Sequence, residues 1–176
     1  HHRGGYLMAT GSVTAWNMPN RLNFLYTVPM FHCNGWCYPW TLAMLHARVI
    51  CIRNIRAKEI FELISEHKIT HFGGAPIILN MLANAPKEEQ IKLNHKVYVL
   101  TAAAPPPSII FKKMKELGFE VMHVYGLTET YGHILQCAWN SAWDELNEDE
   151  KADISSRQGV RYPNTEDVKV MNPENM

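Results

Sequence analysis

The sequence lacks the features that mark nucleic-acid-binding, membrane and repetitive proteins. Lysine plus arginine and aspartate plus glutamate number 17 each, so no basic excess is available for nucleic acid or an anionic membrane. No apolar run is long enough to form a transmembrane segment, and the amino end, HHRGGYLMA, does not read as a signal peptide. Internal repeats and low-complexity tracts are also missing. We therefore expect an ordinary soluble globular domain.

Cysteine is scarce as well, and its spacing excludes the common metal motifs. The four cysteines, Cys33, Cys37, Cys51 and Cys137, form no C-x-x-C pair. The first two lie close to His32, but no second ligand pair follows at zinc-finger spacing. Reduced, partly buried thiols in a cytosolic-type protein are the expected state.

The residues that are present describe one domain with a sizeable core. Hydrophobic residues make up 47% of the 176 residues and charged residues 19%, which is typical of globular proteins. The chain has no initiator methionine, so we expect it to be an internal part of something longer.

Runs with strand and helix character alternate along most of the chain. The predicted strands are 22–28, 47–52 (buried), 69–72, 96–100, 121–124 and 134–138. The predicted helices are 4–18, 36–45, 57–67, 76–82 and 108–117, the last of them capped by Ser108. This alternation predicts an α/β fold, with a mostly parallel sheet flanked by helices on both faces. Ligands collect at the carboxyl ends of the strands in such sheets.

The richest chemistry lies in the stretch VMHVYGLTETYG, residues 121–132. A strand over 121–124 breaks at Tyr125 and Gly126, where the missing Cβ permits close approach of a backbone or a ligand. The Thr128 hydroxyl can donate to a phosphate oxygen, the Glu129 carboxylate can hold a hard cation, and the tyrosine ring offers a flat face to a base. The structural alternative is a turn in which a capping threonine starts a helix.

Three further loops follow predicted strands, and they read TVPMFHCNGW (27–36), THFGGAP (70–76) and LTAAAPPP (100–107). In the first, the His32 imidazole can donate to a developing negative oxygen. The alternative is a buried histidine bonded to a carbonyl, with Trp36 as an ordinary core residue. In the second, two glycines permit close approach of a ligand, and an ordinary strand-to-helix turn is the alternative. The composition of the third predicts only a proline-rich loop.

Taken together, these motifs resemble the acyl-adenylate-forming (AMP-binding) enzyme superfamily, which includes acyl-CoA synthetases and luciferases. YGLTE, followed by Thr130 and Gly132, resembles its signature, and the three loops resemble its P-x-F-H, pocket-wall and S-G-A-A-P segments in the family's order. The most similar subgroup is the acyl-activating enzymes for short-chain, medium-chain or aromatic acids. The resemblance covers the whole chain as an internal fragment of the large N-terminal domain.

The resemblance implies a role for each matching residue. The implied catalytic residues are His32, Thr128 and Glu129, of which Glu129 is also the metal ligand. The implied ATP/AMP-binding residues are Ala103, Ala104, Pro105, Tyr125, Gly126 and Thr128. The implied acyl-pocket residues are Trp36, Gly73, Gly74 and Val124. The sequence departs from the family pattern at Ala102, where glycine is commoner, and at Asn164, where glycine usually follows the proline.

The resemblance also implies a reaction and a division of the chain. Residues 1–156 would be the central part of the AMP-binding domain, and 157–176 the truncated start of a small β-subdomain. The implied enzyme is an ATP-dependent acid–thiol ligase that uses Mg²⁺, with coenzyme A as co-substrate, in the cytoplasm or peroxisome. Because the family's phosphate loop and adenylation lysine are missing from the sequence, we expect this chain alone to be inactive. The alternative is a nucleotide-binding or interaction fragment without turnover.

Overall fold

One seven-stranded sheet forms the centre of the computed structural model, which describes residues 1–174. Its strands are β1 Asn23–Tyr26, β2 Arg48–Cys51, β3 His71–Gly73, β4 Val97–Thr101, β5 Phe119–Leu127, β6 Gly132–Gln136 and β7 Val160–Arg161. They lie in the order β2-β1-β3-β4-β5-β6-β7. The strands from β2 to β5 pair in parallel, whereas β6 and β7 are antiparallel. The predicted α/β class with a mostly parallel sheet is confirmed.

Helices cover both faces of the sheet, as expected for this class. They are α1 His2–Ala15, α2 Cys33–Trp36, α3 Tyr38–Met44, α4 Ala57–His67, α5 Pro76–Ala83, α6 Ser108–Glu116 and α7 Glu148–Ser155. One core contains residues of α4, α5 and α6, and the other contains residues of α3 and the end of α1. Within residues 1–174, none of the helices combines the length and the apolar character needed to cross a membrane.

Two sequence-based predictions about individual elements are wrong. β2 is an edge strand with exposed residues at three of its four positions, although its apolar run predicted a buried strand. The apolar pattern does not reveal how many neighbours a strand will have. Ser108 does not cap α6, because Pro107 occupies the N-cap position and Ser108 is already helical.

The helix predicted over 36–45 begins later because a left-handed segment precedes it. From Cys33 to Cys37 every φ angle is positive, between 43° and 66°. L-residues rarely adopt this conformation, which costs about 1–2 kcal/mol per residue. A tertiary hydrogen bond holds the segment, since the Tyr26 hydroxyl donates to the Gly35 carbonyl oxygen over 2.8 Å. Any side chain at Gly35 would collide with that hydroxyl, since its Cβ would lie 2.1 Å from the oxygen.

A buried histidine lies in the core on the α3 side of the sheet. His71 is 2% exposed, and its ring stacks on Tyr98 and meets Trp16 edge-on, each with ring centroids 5.0 Å apart. Burial lowers the pKa of His71 from its ordinary value of 6.5 to about 4. Between about pH 4 and pH 6.5 the unfolded chain therefore binds a proton at this residue that the folded chain does not. The contribution of the neutral His71 ring to the free energy of unfolding is complete above pH 6.5. It is lost as the pH falls towards about 4.

We predict that His71→Phe makes the protein less sensitive to acid. The phenyl ring keeps the stacking contacts but cannot bind a proton. Between neutral pH and about pH 5, the loss in free energy of unfolding should be smaller by about 2 kcal/mol than in the parent. Urea unfolding at the two pH values measures this difference. His2→Phe removes an exposed histidine as a control, and an equal effect there would contradict the assignment to His71.

Candidate functional site

Parallel pairing brings the ends of four strands to one edge of the sheet. Phe72 of β3 pairs with Leu25 of β1 on one side and with Val99 of β4 on the other. Thr101 at the end of β4 pairs with His123 of β5. The loops that follow β1, β3 and β4 therefore leave from the same edge, next to the last part of β5.

The first two loops are in direct contact at this edge. The indole of Trp36 covers Gly73, because a Cβ at Gly73 would lie 3.3 Å from the ring atom Cε3. The Thr27 hydroxyl donates to the Gly73 carbonyl oxygen, and the Gly74 amide donates to the Leu100 carbonyl oxygen over 2.8 Å. The close approach that Gly73 permits is thus made by a side chain of the first loop.

The central stretch folds as a β-hairpin, which corrects two predictions. β5 does not break at Tyr125 but continues to Leu127, with a pairing irregularity between Tyr125 and Gly126. The alternative of a helix starting at Thr128 is also wrong, because a turn over 128–131 leads into β6. At Gly126 a Cβ would lie 2.0 Å from the Gly132 carbonyl oxygen. The missing side chain therefore allows the two strands of the hairpin to meet.

The three polar residues of the turn have different surroundings. The Thr130 hydroxyl accepts from the Leu127 amide over 2.9 Å and donates to the Gly132 carbonyl oxygen over 2.8 Å. Thr130 thus stabilises the turn itself. Thr128 and Glu129 are both exposed, and no residue among 1–174 forms an ion pair with Glu129.

A side-chain contact links this turn to the first loop. Cys33 Sγ lies 3.1 Å from Thr128 Oγ1, across 95 positions of sequence. His32 directly precedes Cys33, and its side chain is exposed. The alternative of a buried loop histidine is therefore wrong. The contact brings the backbone that carries His32 next to Thr128 and Glu129.

The remaining predicted residues divide between the core and the edge. Val124 is buried in the same core cluster as Trp36, and Tyr125 is half-buried. Ala103, Ala104 and Pro105 are exposed in the loop after β4, and Ala103 has a φ of 83°. A small residue suits this left-handed position, because a bulkier side chain would add to the strain.

Sequence reasoning missed two residues of this region. The sequence predicts Cys33 only as a reduced, partly buried thiol, yet this thiol contacts Thr128. His133, the second residue of β6, is 3% exposed and meets Trp36 edge-on, with ring centroids 6.0 Å apart and planes at 90°. Burial lowers the pKa of His133 to about 4. The only available signal was its place beside the YGLTETYG motif, since periodicity does not reveal which side chains meet across a fold.

Solved structures with the same architecture define the class of the protein. The N-terminal domain of FACL13 from Mycobacterium tuberculosis superposes with a TM-score of 0.71 at 25% identity, covering 77% of this chain and 34% of that one. An O-succinylbenzoate coenzyme A synthetase from Bacillus subtilis, solved with ATP and magnesium, has a TM-score of 0.68 over 82% of this chain and 29% of its own. At 19% identity the second likeness shows the fold alone. The fold and the loops at its carboxyl edge define an α/β domain of the acyl-CoA synthetase type.

The chain belongs to the AMP-binding enzyme family, whose model matches residues 1–176. A peroxisomal acetate/butyrate–CoA ligase from Arabidopsis thaliana is 49% identical over 99% of this chain. An acetate–CoA ligase from Humulus lupulus is 46% identical, also over 99% of this chain. The chain spans 31% of the length of each of these relatives. The family assignment inferred from the motifs is confirmed.

We predict that Gly126→Ala destabilises the hairpin that carries Thr128 and Glu129. The new methyl group would meet the Gly132 carbonyl oxygen, and neither backbone can move without breaking the strand pairing. The free energy of unfolding should fall by about 3 kcal/mol, at the upper end of the usual cost of overpacking. Chemical denaturation of the parent and the variant measures this change.

Gly5→Ala is the matched control for this substitution. Its Cβ would lie 3.5 Å from the Tyr131 hydroxyl oxygen, an ordinary contact, and its position within α1 favours alanine over glycine. The control should be as stable as the parent or slightly more so. Equal stability of the Gly126→Ala variant and the parent would show that the hairpin strands are not in close contact there.

Proposed function

We propose that this chain forms part of an ATP-dependent acid–thiol ligase, which activates a short carboxylic acid as its acyl-adenylate and transfers it to coenzyme A. The observation that carries the proposal is the contact between Cys33 Sγ and Thr128 Oγ1, 3.1 Å apart. It joins the loop that bears His32 to the turn that bears Glu129. An imidazole, a hydroxyl and a carboxylate on neighbouring segments can serve a phosphate, its metal ion and a reacting carboxylate.

The nucleotide would bind along the edge between the loop after β4 and the end of β5. The Thr128 hydroxyl would donate a hydrogen bond to a phosphate oxygen. The small residues Ala103 and Ala104, with Pro105, would leave a slot for adenine, and the ring of Tyr125 would stack on the base. Support comes from the exposure of these three loop residues and from the pairing of β4 with β5.

Glu129 fits the role of a magnesium ligand. Its carboxylate is exposed and forms no ion pair with residues 1–174. In the same range no group of three or more histidine, cysteine, aspartate or glutamate residues could hold a metal by itself. Mg²⁺ usually binds one or two carboxylates together with substrate phosphates, so a single free carboxylate beside a phosphate site is sufficient. The ion would neutralise charge on the phosphate oxygens.

The proposed chemistry has two steps. A carboxylate oxygen of the acid forms a bond to the α-phosphorus of ATP, and the bond from that phosphorus to pyrophosphate breaks. The sulfur of coenzyme A then forms a thioester bond to the acyl carbon, its proton is lost, and AMP leaves. His32 would donate a hydrogen bond to the reacting carboxylate or to a phosphate oxygen, where negative charge collects.

The acyl group would enter between Trp36, Gly73, Gly74 and Val124. Because the indole of Trp36 already lies over Gly73, little depth is left for a long chain. This agrees with relatives that are named acetate/butyrate–, acetate– and 2-methylpropanoate–CoA ligases. We therefore favour short acids over medium-chain or aromatic ones. One of these relatives is peroxisomal, so the peroxisome and the cytoplasm are the compartments we propose.

A second candidate is a nucleotide-binding or interaction fragment without turnover. The observation that favours it is length, since the chain spans 31% of the relatives it matches. We propose that turnover belongs to the full-length protein and that the 176-residue chain alone has none. Acid-dependent exchange of pyrophosphate into ATP by the isolated chain would contradict this part of the proposal.

The first test of the proposal is Glu129→Gln in the full-length protein. The amide keeps the shape of the side chain but loses the charge that would hold Mg²⁺. Pyrophosphate exchange with acetate or butyrate should fall by a factor of about 10² or more. Glu88→Gln, at an exposed carboxylate in another loop, should leave exchange unchanged. Full exchange in a folded Glu129→Gln variant would remove the metal-binding role from this residue.

The second test concerns the choice of acid. Trp36→Ala should open space above Gly73 and raise the ratio of kcat/KM for hexanoate to that for acetate about tenfold, with little change in KM for ATP. Trp40→Ala, at a side chain on α3 that is 51% exposed, is the matched control and should leave the ratio unchanged. An effect of Trp36→Ala on ATP alone would contradict the placement of the acyl pocket.

A further inference from the structure

His133 is a buried side chain with a polar atom that no hydrogen bond satisfies. The residue is 3% exposed, and its Nε2 atom has no hydrogen-bond partner among residues 1–174. Burial of the ring lowers its pKa to about 4, so the imidazole is neutral at ordinary pH. A buried polar atom without a partner opposes folding, and an apolar side chain of similar shape would avoid this cost. The Nε2 atom therefore contributes nothing to this core, and the contribution of the imidazole there comes from its flat ring.

The neighbours of His133 connect it to the proposed acyl pocket. Its ring meets the indole of Trp36 edge-on, with centroids 6.0 Å apart and planes at 90°. Trp36 in turn covers Gly73 on β3. Tyr38 and Tyr162 contact the imidazole as well, with ring centroids 6.3 Å and 5.9 Å away. The indole thus lies against a ring that is itself enclosed by aromatic side chains.

The backbone of His133 is paired within the hairpin. His133 pairs with Gly126 of the antiparallel partner strand, beside the pairing irregularity between Tyr125 and Gly126. By contrast, Trp36 belongs to a left-handed segment, at a φ of 55°. The indole is therefore carried by an unusual segment of backbone and rests against a residue of the paired hairpin, next to its pairing irregularity. A planar ring at position 133 restricts the tilt of the indole away from Gly73.

We propose that His133 is a specificity-determining positioning residue, which holds Trp36 over Gly73 and thereby limits the length of the acid that the pocket accepts. This inference rests on the proposed function, since it assigns the pocket depth of the same site. His133 acts through Trp36 and need not touch the substrate. It adds support from β6 to a proposed acyl pocket whose other residues come from the loop after β1, from the end of β3 and the loop that follows it, and from β5.

The test is a pair of substitutions at His133 in the full-length protein. His133→Leu keeps much of the volume but removes the planar ring, so the indole can tilt, and the ratio of kcat/KM for hexanoate to that for acetate should rise about tenfold. His133→Phe keeps a planar ring without the nitrogen atoms and should preserve the parent ratio. A merely structural role would lower kcat/KM for both acids by the same factor and leave the ratio unchanged.

Two further variants complete the test. Once Trp36 is replaced by alanine, adding His133→Leu should change the ratio no further, because the residue acts through the indole. His71→Leu removes another buried histidine, one that contacts Trp16 and Tyr98 instead of Trp36. It should reduce thermal stability and leave the ratio unchanged. A shift of equal size in His71→Leu would overturn the inference, because the effect would then follow from any loss of core packing.

The remaining outcomes separate the inference from the proposed function. If the parent catalyses acid-dependent pyrophosphate exchange and His133→Leu keeps the parent ratio, the inference is wrong and the proposed function stands. If His133→Phe shifts the ratio as much as His133→Leu, the nitrogen atoms matter and the positioning role of the ring is wrong. If the parent shows no exchange with any acid, the proposed function fails and this inference fails with it.

Discussion

The parallel pairing of β1, β3, β4 and β5 is the constraint on which the site depends. Parallel strands that are neighbours in a sheet end at the same edge, so the loops that follow them emerge together. Cys33 and Thr128 are 95 positions apart in sequence, yet their side chains meet at 3.1 Å. The two side chains would not meet without the pairing between the strands that lie between them in the sheet.

Close contacts at glycines keep this edge compact. Three neighbouring groups lie close to the place where a glycine side chain would begin. They are the Gly132 carbonyl oxygen at Gly126, the indole of Trp36 at Gly73, and the Tyr26 hydroxyl at Gly35. At each place a missing side chain allows a neighbouring element to approach. At this edge the hairpin, the first loop and the end of β3 are therefore in direct contact with one another. The proposed site would have to orient a phosphate and a carboxylate, and it would benefit from such rigidity because small displacements of reacting groups are costly.

Much of the fold could be predicted because the spacing of apolar residues along the sequence reflects which face of a helix or strand is buried. The apolar face of α4, with Ile60, Phe61 and Ile64 fully buried, matches the predicted helix over 57–67. The prediction of a buried β2 was wrong because an apolar strand has the same sequence pattern at the centre of a sheet as at its edge. The break expected at Tyr125 failed for a related reason. Gly126 interrupts the apolar pattern, but β6 supplies the pairing that continues the strand.

By itself, the sequence determined the α/β class, the family and the chemical groups available, because each depends on local pattern and residue type. Only the tertiary structure decided what those groups contact. Thr128 and Thr130 are alike in sequence, yet Thr130 stabilises the turn while Thr128 contacts the first loop. His133 gave no signal of its own, and its position against Trp36 follows from the packing of β6 beside the left-handed segment. Hydrogen bonds and ring contacts between distant segments are set by strand order and packing, which no local window of sequence contains.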